Sequence, residues 1–468
     1  MSGRATGGRA IRGGARLGRG AAAGLLCAAA VVGGAGQAAA QRLGPGAAAV
    51  RPAPAEPASA TSVRIDWRKE LLITDLSVVE DPVRTRWPRQ VGPALPAVAR
   101  TAASGGEAAA LRVPLPADPS AGKWTFGRLM MDMAGPNDPA VFVERWLELW
   151  ESPQQVNGFV APARPLIRQR ILDPWPRLPD GRLDLKRAPF RLLAIVNRID
   201  LRQNPSYGAG NAGEGRFVFG ALDPNGNPLQ FTVIFEYKLP ARSLADVKRW
   251  AERWHALGAL DFGADYNRAL EAITDAFAGR GVAPGRPNGS SIGQIRTNEI
   301  ALGSPWELRE FVLDPRTGLL VQTTTKQSPD VSFNGTQALA DFINDNEAAV
   351  LAGRHTVPPS WLAAADPENF VWNARGIRNP DARHSFALNT CAGCHFAETG
   401  AGFTMVKPRQ SGQPAQLAGF ITGTTFPDPV TGQPRSFDDM QRRIDDLRRV
   451  LTARWTELAV ESPRTAVH

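Results

Sequence analysis

The middle of the chain alternates between apolar and polar positions. Across 229–239, Phe231, Val233, Phe235 and Tyr237 alternate with Thr232, Ile234 and Glu236. A period of two predicts a strand with one aromatic face. A second such run, 216–222, precedes it, and Asp223-Pro224-Asn225-Gly226-Asn227 between them predicts a hairpin turn. Residues 307–313 and 319–325 repeat the arrangement around Asp314-Pro315-Arg316-Thr317-Gly318. The near-continuous apolar run 191–201 suits a buried strand, and 292–300 is a further strand.

Helical spacing surrounds these strands. Phe142, Trp146, Leu147 and Trp150 predict a helix over 138–150. Leu244, Val247, Trp250, Ala251 and Trp254 form one stripe over 241–257, and Tyr266, Leu270, Ile273 and Phe277 another over 264–277. Residues 336–352 predict one more. Hairpins with helices grouped between them imply an α+β fold with a largely antiparallel sheet. Near the end, Phe437, Met440, Ile444, Leu447, Leu451, Trp455 and Leu458 make an unbroken stripe, which predicts one long helix opening at Ser436. Asp438 and Asp439 in its first turn suit the helix N-terminus. The Pro- and Gly-bearing stretch 411–434 reads as loop.

The polar strand positions Asn197, Asp200, Glu214, Glu236, Arg296, Asn298, Glu299, Glu307 and Arg309 are expected to be solvent-facing or to form edge salt bridges. Paired carboxylates on one sheet face would suit acid–base work, but no spacing here points to it. His255, beside Trp254, is expected to be structural.

Composition changes the picture at the ends. Residues 1–40 carry five arginines and no acid, then an apolar segment too short to span a bilayer, then Ala38-Ala39-Ala40. This reads as a signal peptide, with Gln41 as the mature N-terminus and a periplasmic or secreted product. Residues 41–62 read as an Ala/Pro-rich linker, 63–355 as the strand-rich body, and 356–468 as a mainly helical and loop C-terminal part. Residues 91–119 are a second patternless stretch. The net charge of +9 is misleading, because without residues 1–40 the chain has 49 basic and 45 acidic residues. No dense basic patch remains, so nucleic acid is not an expected partner. No later segment is expected to be transmembrane.

The chemistry concentrates in Cys391-Ala392-Gly393-Cys394-His395, a CxxCH motif of the kind that attaches haem c covalently. The two thiols suit the two vinyl groups, and His395 suits iron. On one helical turn, i, i+3 and i+4 share a face. Gly393 would let backbone approach a flat macrocycle. Cys27 leaves with the signal peptide, so the expected mature chain has no other cysteine. Two alternatives stand beside one covalent haem. One is a Cys391–Cys394 disulfide, structural or redox-active, in a secreted binding protein without haem. The other is a zinc site, which wants a fourth ligand.

At these residues the chain resembles mono-haem c-type cytochromes. The longer segment from Phe386-Ala387-Leu388-Asn389-Thr390 through the motif to Phe396-Ala397-Glu398-Thr399-Gly400 is similar to a group of uncharacterised exported bacterial proteins carrying Leu-Asn-Thr-Cys-x-Gly-Cys-His. The middle segments FRLLAIVNRIDLR, GEGRFVFG, QIRTNEI and PWELREF look like theirs as well. The cytochrome resemblance implies a haem with an electron-transfer or redox role and an unknown redox partner. The motif lies later in the chain than in small cytochromes, which puts an ordinary cytochrome fold for the tail in doubt.

His395 leaves one axial side of iron to fill. Met405, Met440, His384 and His355 are the Met and His residues near the motif, and His468 is terminal. Met440 belongs to the apolar stripe and is expected in the core. His384 is expected to be a hydrogen-bonded loop histidine. Met405 lies on a Gly-bearing loop ten residues after His395; at ~3.3 Å per residue that chain can pass a haem edge. Met405 is therefore the expected second iron ligand. An open distal side, suited to a haem oxidoreductase, is the alternative.

Overall fold

A computed structural model describes residues 63–87, 118–207, 210–367 and 370–459. The signal peptide, the linker, most of 91–119 and His468 lie outside the described residues. The described residues form one compact unit. The fold is α+β.

Its centre is an eight-stranded antiparallel sheet. In chain order the strands are β1 (Leu72–Ile73), β2 (Phe190–Arg198), β3 (Asn211–Leu222), β4 (Pro228–Pro240), β5 (Ile292–Glu299), β6 (Glu307–Leu313), β7 (Leu320–Thr323) and β8 (Asp366–Pro367). They lie in the order β1-β2-β3-β4-β5-β6-β8, with β7 also on β6. The turn at 223–227 joins β3 to β4: Asp223 accepts hydrogen bonds from the backbone of Asn225 and Asn227.

One sheet face is aromatic. Phe217, Phe219, Phe231, Phe235 and Tyr237 are all buried on it. Helices cover this face. Phe126, from Phe126–Met133, stacks on Phe190 at 4.1 Å and meets Phe235 at 5.3 Å. Trp146, from Pro139–Glu148, and the nearby Trp150 pack on Phe311. Phe277, from Ala264–Ala278, lies over Gly215, where a Cβ would come within 2.4 Å of its ring. Glycine in β3 is thus what lets that helix seat. Each fully buried aromatic or aliphatic side chain contributes about 1.5–3 kcal/mol.

The other face is charged, and it is buried too. Rungs run across it from register: Arg216 opposite Glu236 opposite Gln294, then Ile234 opposite Arg296 opposite Glu310, then Thr232 opposite Asn298 opposite Leu308. This corrects the expectation for the polar strand positions. Asn197, Glu214, Glu236, Arg296, Asn298, Glu299, Glu307 and Arg309 are all buried. The Asp200 side chain is 3% exposed. On the charged face they are interior because residues beyond 390 cover it, whereas Asn197, Glu299, Glu307 and Arg309 lie in register with the aromatic face, under the helices.

The C-terminal part shares the main core, through Val406, Phe420, Ile421, Phe437, Met440, Leu447 and Val450. Its details differ from expectation. The stretch 411–434 contains a short helix, Gly419–Thr422, and most of a hairpin, Thr424–Pro427 with Pro434–Phe437. Ser436 therefore lies in a strand. The helix that follows runs Asp439–Thr452, with Asp438 as its N-cap, and Ala453 turns extended before Trp455–Ala459. The predicted helix over 336–352 is likewise two, Gln337–Asp345 and Glu347–Leu351. No helix among the described residues is long and apolar enough to cross a membrane.

Candidate functional site

The motif follows the helix Pro380–Leu388, whose N-terminus is capped by Asn379. The backbone then tightens. The Thr390 hydroxyl donates to the Ala387 carbonyl and accepts the Gly393 N–H. Two more amides of this turn are held from elsewhere: Cys391 N–H by Ser328 Oγ at 2.8 Å, and Ala392 N–H by Asp366 Oδ2 at 3.1 Å. These partners satisfy donors that a helix start leaves open. Gly393–Ala397 form a π-helical turn, closed by the Glu398 N–H on the Gly393 carbonyl at 3.0 Å. Such turns recur at functional sites. The expected role of Gly393 changes here. A Cβ on it would lie 2.0 Å from the Ala387 carbonyl oxygen, so the preceding helix requires the glycine.

His395 is fixed from three sides. Its backbone belongs to the π turn. Its ring stacks on Trp306 at 5.2 Å and 28°. Its Nδ1–H donates to the Phe403 carbonyl at 2.6 Å, which leaves Nε2 with the lone pair. Phe403 has φ 61°, in the left-handed region and unusual for an aromatic residue, and Gly400 and Gly402 on either side of Ala401 have φ 60° and 62°. The loop accepts strain where its carbonyl meets the histidine. Burial holds the imidazole neutral, with its pKa pulled down to about 4.

A cavity partly open to solvent lies between this segment and the charged sheet face. His395 and Met405 both line it. Val196, Val218, Ile234, Phe420 and Ile421 supply apolar lining, and Arg198, Arg216, Arg296, Arg443 and Glu236 supply charge. Met405 is partly buried, and its carbonyl accepts the Ala418 N–H at 2.9 Å. Met440 is 3% exposed and packs in the core, away from the cavity lining.

The cysteines are free thiols, both buried. Cys391 packs with Trp306, Leu308, Phe396 and Phe403. Cys394 joins the main core. Neither lines the cavity; Cys391 packs with Leu308, which does. Burial pushes both thiols well above the ordinary thiol range.

The charged wall is a continuous network. Arg216 Nη2 meets Glu214 at 2.7 Å and its Nη1 meets Glu236 at 3.1 Å. Gln294 Nε2 donates to both glutamates. Arg296 lies 3.2 Å from Glu310, which also holds Lys326 at 2.5 Å.

His384 lies in a helix, not a loop, and its Nδ1 is 2.6 Å from Glu398. Arg383 forks onto Glu398 at 2.6 and 2.8 Å and reaches Asp428 at 3.0 Å. His384, Glu398 and Asp428 converge as a metal site would, but Arg383 and Arg435 already neutralise the two acids. This cluster ties the end of the π turn to the C-terminal hairpin loop. His355 packs among Phe342 and Phe386 and does not line the cavity. His255 Nδ1 pairs with the buried Glu70 at 2.7 Å. No family model, curated protein or solved structure matches this chain.

Proposed function

We propose that this chain is an exported haem c protein whose role is one-electron transfer with a redox partner. One haem would be joined covalently through Cys391 and Cys394, and its iron would be held by His395 and Met405. The observation that carries this reading is the sharing of one cavity by Met405 and a histidine whose Nδ1–H is committed to the Phe403 carbonyl. That commitment leaves Nε2 available, as second-shell partners do for metal-binding histidines. The lining suits an amphipathic macrocycle: apolar side chains for its body, arginines for its acidic edge. When bound, the iron would supply reversible one-electron exchange, and a His/Met pair favours a high potential.

The chain's own residues would do the rest. Trp306 and the Phe403 carbonyl orient His395. Val196, Val218, Ile234 and Phe420 would give the macrocycle an apolar wall. The leader-like 1–40 segment supports a periplasmic or secreted location.

Protein made in a host that attaches haem c tests the reading. Colour that survives acid–acetone extraction, with a mass one haem above the apo chain beginning at Gln41, is the expected result. A mass two hydrogens below the apo chain would mean a disulfide and end the proposal.

A further inference from the structure

Where the end of β2 meets the helix Asp439–Thr452, three arginines share two aspartates. Arg198 gives Nε and Nη2 to Asp200 at 2.9 and 3.0 Å. Arg442 Nη2 reaches Asp200 at 2.9 Å and Asp439 at 2.7 Å. Arg443 Nη2 meets Asp439 at 2.6 Å. The group carries one positive charge more than it balances. Its neighbours do not remove the excess. Asp446 is engaged by Arg202, and Glu214, Glu236 and Glu310 are matched by Arg216, Arg296 and Lys326.

Four of its five members are buried, while the Arg442 side chain is 28% exposed. The side chains of Arg198, Arg443, Asp200 and Asp439 are 3%, 7%, 3% and 3% exposed. A buried charge without its counterpart is costly, and the natural remedy is an anion. A second observation agrees: Arg443 Nε is buried with no hydrogen-bond partner among the described residues. Both Arg198 and Arg443 line the cavity.

We propose that Arg198 and Arg443 hold a carboxylate or other small oxyanion in this cavity. Two sources have that chemistry. One is the propionate edge of the haem, and for that source the proposal rests on the haem reading. The other is a free oxyanion. A guanidinium has five N–H donors, so each arginine can serve its aspartate and a second acceptor together.

The test uses holoprotein of wild type, Arg443→Gln and Arg443→Lys, each shown by mass to carry haem. If the propionates are the ligand, wild-type potential is flat between about pH 5 and 8, because the arginines keep them ionised. Arg443→Gln then brings a propionate titration into that range and lowers the potential, while Arg443→Lys stays close to wild type. Wild type ignores formate and inorganic phosphate. If the ligand is free, formate or phosphate perturbs the Soret band saturably in wild type, and Arg443→Gln weakens this at least tenfold. A folded, haem-bearing Arg443→Gln with the wild-type pH profile, and no anion response in either protein, overturns the site. If no haem is attached, the haem reading has failed by itself. The apo chain then decides: phosphate or formate must raise the melting temperature of wild type and not of Arg443→Gln, and no rise overturns the site as well.

Discussion

Phe235 and Glu236 are consecutive in β4, are both fully buried, and face opposite layers. Phe235 lies 5.3 Å from the rings of both Phe126 and Phe219. Glu236 lies among Arg216, Gln294 and Arg296. The aromatic layer holds by area, so trimming it costs in proportion to what is removed. The charged layer holds by mutual neutralisation, so removing one member strands the others in low dielectric. A strand of period two thus builds a packing face and a chemical face at once, and the cavity with His395 and Met405 belongs to the second.

The largest expected effect separates cofactor from fold. Cys391→Ser with Cys394→Ser should remove all covalent haem, while tryptophan fluorescence and circular dichroism still report a folded sheet. Haem that survives acid–acetone extraction of this variant would contradict the attachment assignment.

Next in size are two substitutions, one from each face. Phe235→Ala should cost about 3–5 kcal/mol in urea unfolding and leave the haem spectrum unchanged. Arg216→Met should cost about as much, because Glu214 and Glu236 lose their shared partner. The faces should then differ in additivity. Adding Glu236→Gln to Arg216→Met should recover part of the loss, whereas Phe235→Ala combined with a distant aromatic truncation should simply add. Equal additivity on both faces would dissolve the distinction.

What the chain disclosed follows the range of the interaction. Alternation in 229–239 and the turn at 223–227 are local, and the sheet built on them was legible. The covering of its polar face was not. Alternation tells which residues share a face, and nothing in Arg216 or Glu236 says that Val406 and Phe420 will lie above them. The motif residues were legible for the same local reason. Trp306, Ser328 and Asp366 reach the motif from 26 to 89 positions away, and no local signal marks them. Phe403 takes φ 61°, which its sequence neighbours do not announce. The C-terminal stripe was read through the break at Ala453, because apolar spacing continues across it while the backbone does not.

The aromatic face has one ionic corner, and it gives a smaller effect. Glu299 pairs with Arg164 at 2.9 Å and stands opposite Glu307 in the β5–β6 ladder. Burial, opposed by Arg164, leaves its pKa raised from 4.5 to about 7. A carboxyl raised in the folded state adds stability below its unfolded pKa and loses it as pH rises through the folded value. Glu299 should therefore take away stability between about pH 4.5 and 7, on the order of 3 kcal/mol. The stability difference between wild type and Glu299→Gln, followed across that range, should shift toward the variant by that amount. A pH-independent difference would mean that Glu299 stays ionised throughout.

The smallest effect on stability should carry the sharpest spectral consequence. Met405 and Met440 are both apolar thioethers of the C-terminal part, yet only Met405 lines the cavity with His395. Met440 is 3% exposed in the core, so Met440→Ala should cost about 2–5 kcal/mol with little spectral change. Met405 is only partly buried, so its truncation should cost less. If its sulfur holds the iron together with His395, Met405→Ala should abolish the weak near-infrared thioether–iron(III) band and lower the reduction potential, because thioether ligation favours the ferrous state. The haem itself should remain, since the thioethers to Cys391 and Cys394 do not depend on axial ligation. An unchanged band and potential in a haem-bearing Met405→Ala protein would remove Met405 from the iron. Glu236 and Arg296, which also line the cavity, would then be the polar groups to test beside His395.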